Sequence, residues 1–236
     1  ANRNYEAEIQ VKQKAISTKK YANYEFNLAN QNSFFDKIVR EGKTDENGNA
    51  VEAYEVPQAY SNIGILRSTF FATVFDETGR PVSKGVSADV FTQSVFYGIG
   101  DDGAWYYPLN QPVSFPLIAL DKTEKPVSGV KAIVKMIRHE YRTVLAKSGS
   151  YFRYESQEQD KLLSEQEVTV NGETTTYSFV PRAPGNYEIK VFVPGATAYV
   201  SKRFYSYGSW GGDNNSFEVD PDGSIDIESD KSIYSA

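Results

Sequence analysis

Short stretches in which apolar and polar residues alternate recur along the whole chain, and a period of two is typical of half-buried β-strands. The clearest stretch is 187–193, where Tyr187, Ile189 and Val191 alternate with Glu188 and Lys190. The same reasoning predicts further strands at 6–11, 24–28, 34–39, 51–56, 63–75, 86–97, 167–170, 174–179 and 199–207. The longest apolar run of the first half, 63–75, is predicted to be a central strand.

One phrase occurs twice, as FDETGRPVS at 75–83 and as LDKTEKPVS at 120–128. An Asp side chain bonds its own backbone and Pro fixes φ, so each copy predicts a turn between two strands. Pro81 and Pro126 cannot donate a hydrogen bond to a central ladder, which predicts a hairpin mouth or a sheet edge at each. We therefore expect comparable hairpins in two neighbouring domains.

The segment 130–146 fits two different periods. Ile133 and Ile137 belong to a possible helix face, whereas Ala132 and Val134 also fit a strand. Its length favours a helix, and its β-branched side chains with the preceding turn favour a strand. The residues by themselves leave both alternatives open.

Turn signals divide the rest of the chain. Asn171-Gly172 suits a type I′ turn and predicts a hairpin between 167–170 and 174–179. The glycine-rich and acidic stretch GIGDDG at 98–103 predicts a linker between two strand-rich blocks. We expect two β-sandwich domains at 1–98 and 99–207, followed at 208–236 by a linker and the start of another domain. The proline-containing segment 106–115 is expected to enter the second domain along a sheet edge.

Composition supports an all-β architecture. The 236 residues suffice for two ordinary domains, and 14% of them are aromatic, which argues against disorder. Enrichment in aromatic and β-branched residues, together with 17 Gly and 10 Pro, indicates strands joined by turns. The net charge of −6, with no basic cluster to offset it, gives no support to nucleic-acid binding.

The chain contains no cysteine, which excludes disulfides, cysteine–zinc sites and thiol catalysis. It also lacks an apolar run of the ~18 residues that span a bilayer, so no membrane span is predicted. Neither terminal sequence resembles a natural start or end, and we interpret the chain as a piece of a larger protein.

Catalytic chemistry finds little support in the sequence. His139 is the single histidine, and no G-x-S-x-G nucleophile motif accompanies it, so a serine–histidine–aspartate triad is not indicated. A zinc site needs several His or Cys ligands. We interpret His139 as a surface or strand residue, and we predict no catalytic, cofactor-binding or metal-binding residues and no enzyme activity.

Other candidate motifs have simpler structural interpretations. The oxygen-rich stretches 213–215 and 220–223 depart from the EF-hand spacing and are interpreted as turns. Residues 156–159 (SQEQ) have the shape of a thioester motif, with a serine where the motif needs a thiol. Aromatic residues at 105–107 and 205–210, including Trp105 and Trp210, would form a sugar-stacking platform if they were exposed, although packing in the core or at a domain junction is the favoured interpretation.

Four stretches, taken in order, resemble the bacterial alpha-2-macroglobulin family. They are GILRSTFFATVFDETGRPVSKGVSADV at 64–90, the opening of the next domain at 96–137 with its D-x-x-x-K-P-V-x-G-V phrase, TYSFVPRAPGNYEIKVFVPG at 176–195, and the crossover at 199–207 and 217–234. Each phrase is common in immunoglobulin-like sandwiches, and their order and spacing carry the resemblance. The match covers about residues 45–236, and it favours a strand at 130–146.

The resemblance implies tandem macroglobulin domains, each a seven-stranded antiparallel sandwich. It also implies a periplasmic or cell-surface parent protein that traps proteases, with this piece as a non-catalytic scaffold. Its partners would be the neighbouring domains of the parent chain and, through the parent, target proteases. The alternative is an immunoglobulin-like carbohydrate-binding or adhesion module, which the supply of Tyr and Trp would serve. An enzyme that depends on His139 is a third, weaker hypothesis.

Overall fold

The computed structural model of the protein describes residues 2–30, 35, 37–148, 151–173 and 175–208. This part of the chain is built from strands, with one short 3-10 turn at Gln58–Tyr60. The strands are β1 (Asn4–Lys14), β2 (Tyr24–Glu25), β3 (Ile38–Lys43), β4 (Ile65–Phe75), β5 (Pro81–Phe91), β6 (Phe96–Gly100), β7 (Tyr106–Pro108), β8 (Val113–Leu120), β9 (Ser128–Ser148), β10 (Tyr151–Asn171), β11 (Thr175–Phe179), β12 (Gly185–Phe192) and β13 (Tyr199–Tyr207).

These strands form three sheets. Their orders are β3-β1-β4-β5, β10-β9-β12-β13-β7 and β11-β8-β6-β2. Neighbouring strands are antiparallel, apart from the parallel pair of β13 with β7 at one edge. The predicted all-β, antiparallel fold class is confirmed. The edge position expected for 106–115 holds for β7, whereas β8, which begins at Val113, lies inside its own sheet.

The first half contributes the sheet β3-β1-β4-β5. Strand β4 pairs with β1 on one side and β5 on the other, so the central strand predicted at 63–75 is confirmed. Ile9, Val11 and Leu66 are buried on one face, where Tyr54 and Val56 cover them. The strand predicted at 51–56 is wrong, because that segment is irregular and serves as this cover. Farther along the same face the cover ends, and Val82 and Val86 on the edge strand β5 are exposed.

The second half is a sandwich whose core lies between the other two sheets. Buried apolar residues alternate along strands of both sheets, such as Phe115 and Leu117 on β8 and Val134 on β9. Tyr187 and Phe204, on adjacent strands, stack with their ring centroids 5.3 Å apart. This core is the largest apolar cluster among the described residues.

The ambiguous segment 130–146 is extended, and the strand that the family resemblance favours is confirmed. It belongs to β9, which pairs with β10 along its whole length and with β12 from Ile133 to His139. Tertiary pairing on both sides decides against the helix that length alone would favour. Beyond His139, β9 pairs among the described strands with β10 alone. These two strand ends, 140–148 and 151–159, form what we call the ribbon.

The predicted linker at 98–103 is wrong for its first three residues. Gly98–Gly100 complete β6, which is buried along its entire length. One face of this strand looks into the sandwich, while the other packs under Phe26 in a cluster that also contains Ile65 and Ile118. Strand β2 pairs with the same β6, so part of the first half completes a sheet of the second. The position of the domain boundary stays a prediction.

Both copies of the repeated phrase form the same turn. Asp76 Oδ1 accepts hydrogen bonds from the backbone N–H groups of Thr78 at 2.7 Å and Arg80 at 2.9 Å. Asp121 Oδ1 accepts the equivalent bonds from Thr123 at 2.7 Å and Lys125 at 3.0 Å. The strands around the two turns differ, however.

The first copy joins the paired strands β4 and β5, so its hairpin and the edge position of Pro81 are confirmed. The second copy links β8 and β9, which lie in different sheets, so the hairpin expected there is wrong. The hairpin predicted around Asn171-Gly172 is wrong for the same reason. Strand β10 pairs with β9 and strand β11 pairs with β8, so this turn crosses between sheets.

Candidate functional site

The single histidine lies in the sheet, on the last rung that β9 shares with two neighbours. His139 is opposite Asp160 on β10 and opposite Asn186 on β12. Its side chain is 1% exposed, so the strand interpretation fits and the surface interpretation does not. The alternation of β9 places this side chain on the outer face of the five-stranded sheet, away from the sandwich core.

Carboxylates occupy both sides of the imidazole. Nδ1 lies 2.7 Å from Asp160 Oδ1 and 2.8 Å from Glu158 Oε1. Nε2 lies 3.1 Å from Glu188 Oε2, and the Glu188 side chain is itself only 4% exposed. We call these four residues the histidine cluster.

Two cations border the histidine cluster. Lys190 Nζ lies 3.5 Å from Glu188 Oε2, and Arg203 Nε lies 3.7 Å from the same oxygen. Burial opposes the charge on Lys190, but its hydrogen bond to Tyr199 and the carboxylates of Glu188 and Asp160 leave its pKa above the ordinary value. The buried carboxylate of Glu188 is therefore paired, as the cost of isolating a buried charge requires.

The cluster does not have the layout of a hydrolytic triad. Both ring nitrogens of His139 contact carboxylate oxygens, so neither is directed at a serine hydroxyl in the described part of the chain. The ring nitrogen and the two carboxylates on β10 come close enough together for one ion to contact all three. Separations of 2.7 and 2.8 Å are hydrogen-bond distances, whereas two ligands on a tetrahedral zinc stand roughly 3.3 Å apart, given bonds of about 2.0 Å.

A second feature is an open cleft beside the cluster, on the same side of the sheet. Its lining includes Glu25, Asp101, Trp105, Tyr199 and Arg203. Trp105 is 60% exposed and Tyr106 is 70% exposed. Of the two favoured expectations, packing in the core is therefore wrong for these two residues, and packing at a domain junction stays a prediction. The indole ring of Trp105 is accessible, so the apolar face of a sugar ring could stack on it.

The other aromatic candidates behave differently. Tyr107 packs edge-on against Phe204, with 5.6 Å between ring centroids, and its hydroxyl donates to the carboxylate of Asp102. Burial, followed by that hydrogen bond and the negative charge of Asp102, raises the pKa of Tyr107. Trp210 lies outside the described residues, as do the acidic stretches 213–215 and 220–223.

The thioester-like residues 156–159 lie within β10. Ser156 pairs with Thr143 across the ribbon, in regular extended backbone. Glu158, the third residue of this motif, belongs instead to the histidine cluster. The roles of five residues could not be read from the sequence: Glu158, Asp160, Glu188, Lys190 and Arg203. The sequence shows charged residues alternating at 158 and 160 and at 188 and 190. It does not show the pairing of β10 and β12 with β9, which brings these residues to His139.

Comparison with known protein families places these elements in context. The family model of the bacterial alpha-2-macroglobulin MG5 domain matches residues 1–91, and that of bacterial macroglobulin domain 6 matches residues 98–208. Between them the two models cover most of the chain. The chain belongs to the bacterial alpha-2-macroglobulin family. No individually curated protein sequence matches it.

Solved structures of this family share the fold. The native conformation of Escherichia coli alpha-2-macroglobulin matches with a TM-score of 0.56 at 16% identity, over 99% of this chain and 16% of that one. The trypsin-activated E. coli protein gives a TM-score of 0.56 at 18% identity over the same shares. Salmonella alpha-2-macroglobulin reacted with methylamine gives 0.55 at 16% identity, over 87% of this chain and 14% of that one.

The chain thus spans about a sixth of the length of these relatives. At such identities the likeness establishes tandem macroglobulin β-sandwich architecture and no residue-level role. Within the described residues, no helix has the length and hydrophobicity needed to cross a membrane.

Proposed function

We propose that this chain is a non-catalytic structural part of a bacterial alpha-2-macroglobulin-like protease-trapping inhibitor. Its membership of the family, over two successive macroglobulin domains, is the observation that carries the proposal. Two related structures are of the E. coli protein activated by trypsin and by porcine elastase. The corresponding partners here are neighbouring domains of the parent chain and, through the parent, target proteases. The corresponding location is the periplasm or the cell surface.

The packing of the second half suits a scaffold. Ile99, Leu117, Val134 and Ile189 are at most 1% exposed between its two sheets, and the interior of such a sandwich resists deformation. Strand β2 and Phe26 tie the first half to the outer face of the same sandwich. Domains joined in this way hold the segments on either side of them at a fixed separation and orientation.

The test uses the longer protein that contains this chain, mixed with an equimolar amount of trypsin. A steric trap excludes large substrates from the protease and admits small ones. We expect cleavage of a large protein substrate to fall sharply while cleavage of a small peptide substrate is retained. The isolated chain should leave both activities unchanged, because it lacks most of the parent.

A matched pair of variants connects the outcome to these domains. Val134→Asp places a charge in the sandwich core, where Val134 is 0% exposed, and should abolish protection of the large substrate. Val51→Asp makes the same change at a 91% exposed site and should preserve protection. A longer protein that leaves cleavage of the large substrate unchanged would refute the proposal.

Carbohydrate binding is the second candidate, and the exposure of Trp105, which lines the cleft, favours it. A sugar stacks its apolar face on an aromatic ring while carboxylate and guanidinium groups bind its hydroxyls. Selective glycan binding that is lost in Trp105→Ala and kept in Phe152→Ala, which removes a 63% exposed ring elsewhere, would establish it. Uniformly absent binding on a glycan array would eliminate it.

A further inference from the structure

The histidine cluster lies at the root of the ribbon. From Ile133 to His139, strand β9 is paired on both sides, and from Glu140 onward it is paired with β10 alone. An isolated pair of strands is marginally stable in water. The contacts of His139 reach β10 through Asp160 and Glu158 and reach β12 through Glu188. One side chain therefore fastens three strands together at the point where the ribbon leaves the sheet.

The donors and acceptors around the His139 ring favour one protonation state. A neutral imidazole carries one N–H donor and one acceptor nitrogen, while an imidazolium carries two donors. Both ring nitrogens of His139 face carboxylate oxygens, which as carboxylates can only accept. In the neutral form one of these contacts would set a nitrogen lone pair against an anion. Only the imidazolium satisfies both sides.

The surrounding charges favour the same state. The titratable groups that face His139 are Glu158 and Asp160 on β10, Glu188 and Lys190 on β12, Arg203 on β13 and Tyr141 on its own strand. The three carboxylates exceed the two cations by one negative charge. A protonated His139 makes this set neutral, and the burial of His139 and Glu188 makes that balance matter.

The neighbours of His139 along β9 do not enter this balance. Arg138 and Glu140 point to the opposite side of the strand and pair with each other at 3.1 Å. Tyr141 donates its hydroxyl to Glu158 Oε2 at 3.3 Å, and burial followed by the charge of Glu158 raises its pKa. The phenol is therefore neutral at physiological pH and adds no charge.

We propose that His139 is a proton-dependent clasp. As an imidazolium it binds β10 and β12 to β9 at the root of the ribbon, and loss of its proton loosens the ribbon. Because the protonated form makes the full set of contacts, the clasp is closed at lower pH and opens as the pH rises. This device goes beyond the scaffold role and does not depend on it.

The first test is direct, because the chain has one histidine. Nitrogen-15 NMR of the whole chain, in buffer containing a chelator, distinguishes an imidazolium from either neutral tautomer without resonance assignment. We expect both ring nitrogens to carry a proton at pH 7.5, about one unit above the midpoint of a free histidine. A single neutral tautomer at this pH would overturn the proposal. So would stoichiometric binding of Zn²⁺ with release of the proton, which would make the cluster a metal site.

The second test measures the ribbon itself. Amide hydrogen exchange in 140–146 and 151–159, corrected for the intrinsic effect of pH, should accelerate roughly tenfold or more in the wild type once the proton is lost. His139→Gln should show no such step. Asp160→Asn changes a half-exposed side chain that folding tolerates, and it should move the step to lower pH.

The control is Glu165→Gln on the same strand β10. The Glu165 carboxylate pairs with Lys135 and is 47% exposed, close to the 51% of Asp160. It should behave as the wild type. If exchange in the ribbon has the same pH dependence in the wild type and in His139→Gln, the clasp does not exist.

Discussion

The ring of Phe26 lies against Gly98 so closely that a Cβ on that glycine would stand 2.5 Å from Cε1 of the ring. The added Cβ would also stand 2.9 Å from Cγ2 of Ile118. Gly98 therefore leaves room for Phe26, from the first half of the chain, to pack against the sheet that contains β6. It is not needed for backbone flexibility, since it belongs to the fully buried strand β6.

Gly98→Ala should accordingly destabilise the protein by about 1–3 kcal/mol, the usual cost of overpacking. Urea unfolding measures it. Gly208→Ala is the control, because its new Cβ would meet Leu109 at an ordinary 3.4 Å. In a Phe26→Ala background the cost of Gly98→Ala should shrink, since the ring that causes the clash is gone. Equal costs in both backgrounds would contradict this account.

The two halves should respond differently to truncation of a side chain. Ile189→Ala removes a 0% exposed side chain from between two sheets and should cost about 2–5 kcal/mol. Val86→Ala, at a 65% exposed site on the edge strand β5, should change the free energy of unfolding by less than about 0.5 kcal/mol. Chemical denaturation of the two variants beside the wild type gives both values. A large effect at Val86 would show that its sheet face is covered.

The first repeated turn should depend on acid. The Thr78 hydroxyl and the backbone N–H of Arg80 bond the carboxylate of Asp76 and lower its pKa to about 2. Because the folded pKa lies below the unfolded value of about 3.9, this stabilisation is complete above pH 4 and is lost as the pH falls towards 2. Asp76→Asn should not show this pH dependence. Carbon-13 NMR of the carboxyl group measures the titration, and a midpoint near 3.9 would contradict the prediction.

Tyr97 should make the protein sensitive to alkali. Burial raises its pKa to about 12, and its hydroxyl donates to the backbone carbonyl of Lys131 at 2.5 Å. Since the folded pKa exceeds the unfolded value of about 10, the stabilisation is complete below pH 10 and is lost between pH 10 and 12.

Tyr97→Phe removes the hydrogen bond and should cost about 0.5–1.5 kcal/mol at neutral pH. Its stability should then fall less steeply than that of the wild type above pH 10. Urea unfolding at pH 7, 10 and 11 compares the two proteins, and the other tyrosines affect both equally. Parallel pH profiles would indicate that Tyr97 ionises as readily in the folded protein as in the unfolded chain.

Local patterns predicted the local structure well. The alternation at 187–193 gave β12, and the Asp-x-Thr phrase gave two turns with matching hydrogen bonds, because both signals depend on neighbours in sequence. Sheet assignment depends on distant residues. Asn171-Gly172 suits a tight turn, but the strand before it, β10, pairs with β9, and the strand after it, β11, pairs with β8.

The site was harder to predict than the fold. Asp160 and Glu188 lie 21 and 49 residues from His139 along the chain, and three strands must align before the three side chains meet. A shift of one residue in any of these strands would turn the imidazole or a carboxylate to the other face. The glycines at 98 and 100 were interpreted as part of a linker for a similar reason. Each glycine is required by a ring that is not its neighbour in sequence, Phe26 for Gly98 and Pro116 for Gly100.

Strand β2 and Phe26 precede β6 by about 70 residues, yet they finish its sheet and cover its outer face. A fragment cut at residue 98, where the second family match starts, would therefore lose two of the five residues of β6 and uncover Ile118 and Leu120. During synthesis the covering segment leaves the ribosome first and remains available until its partner strands emerge. The order of translation thus protects an apolar surface that a domain expressed alone would present to the solvent.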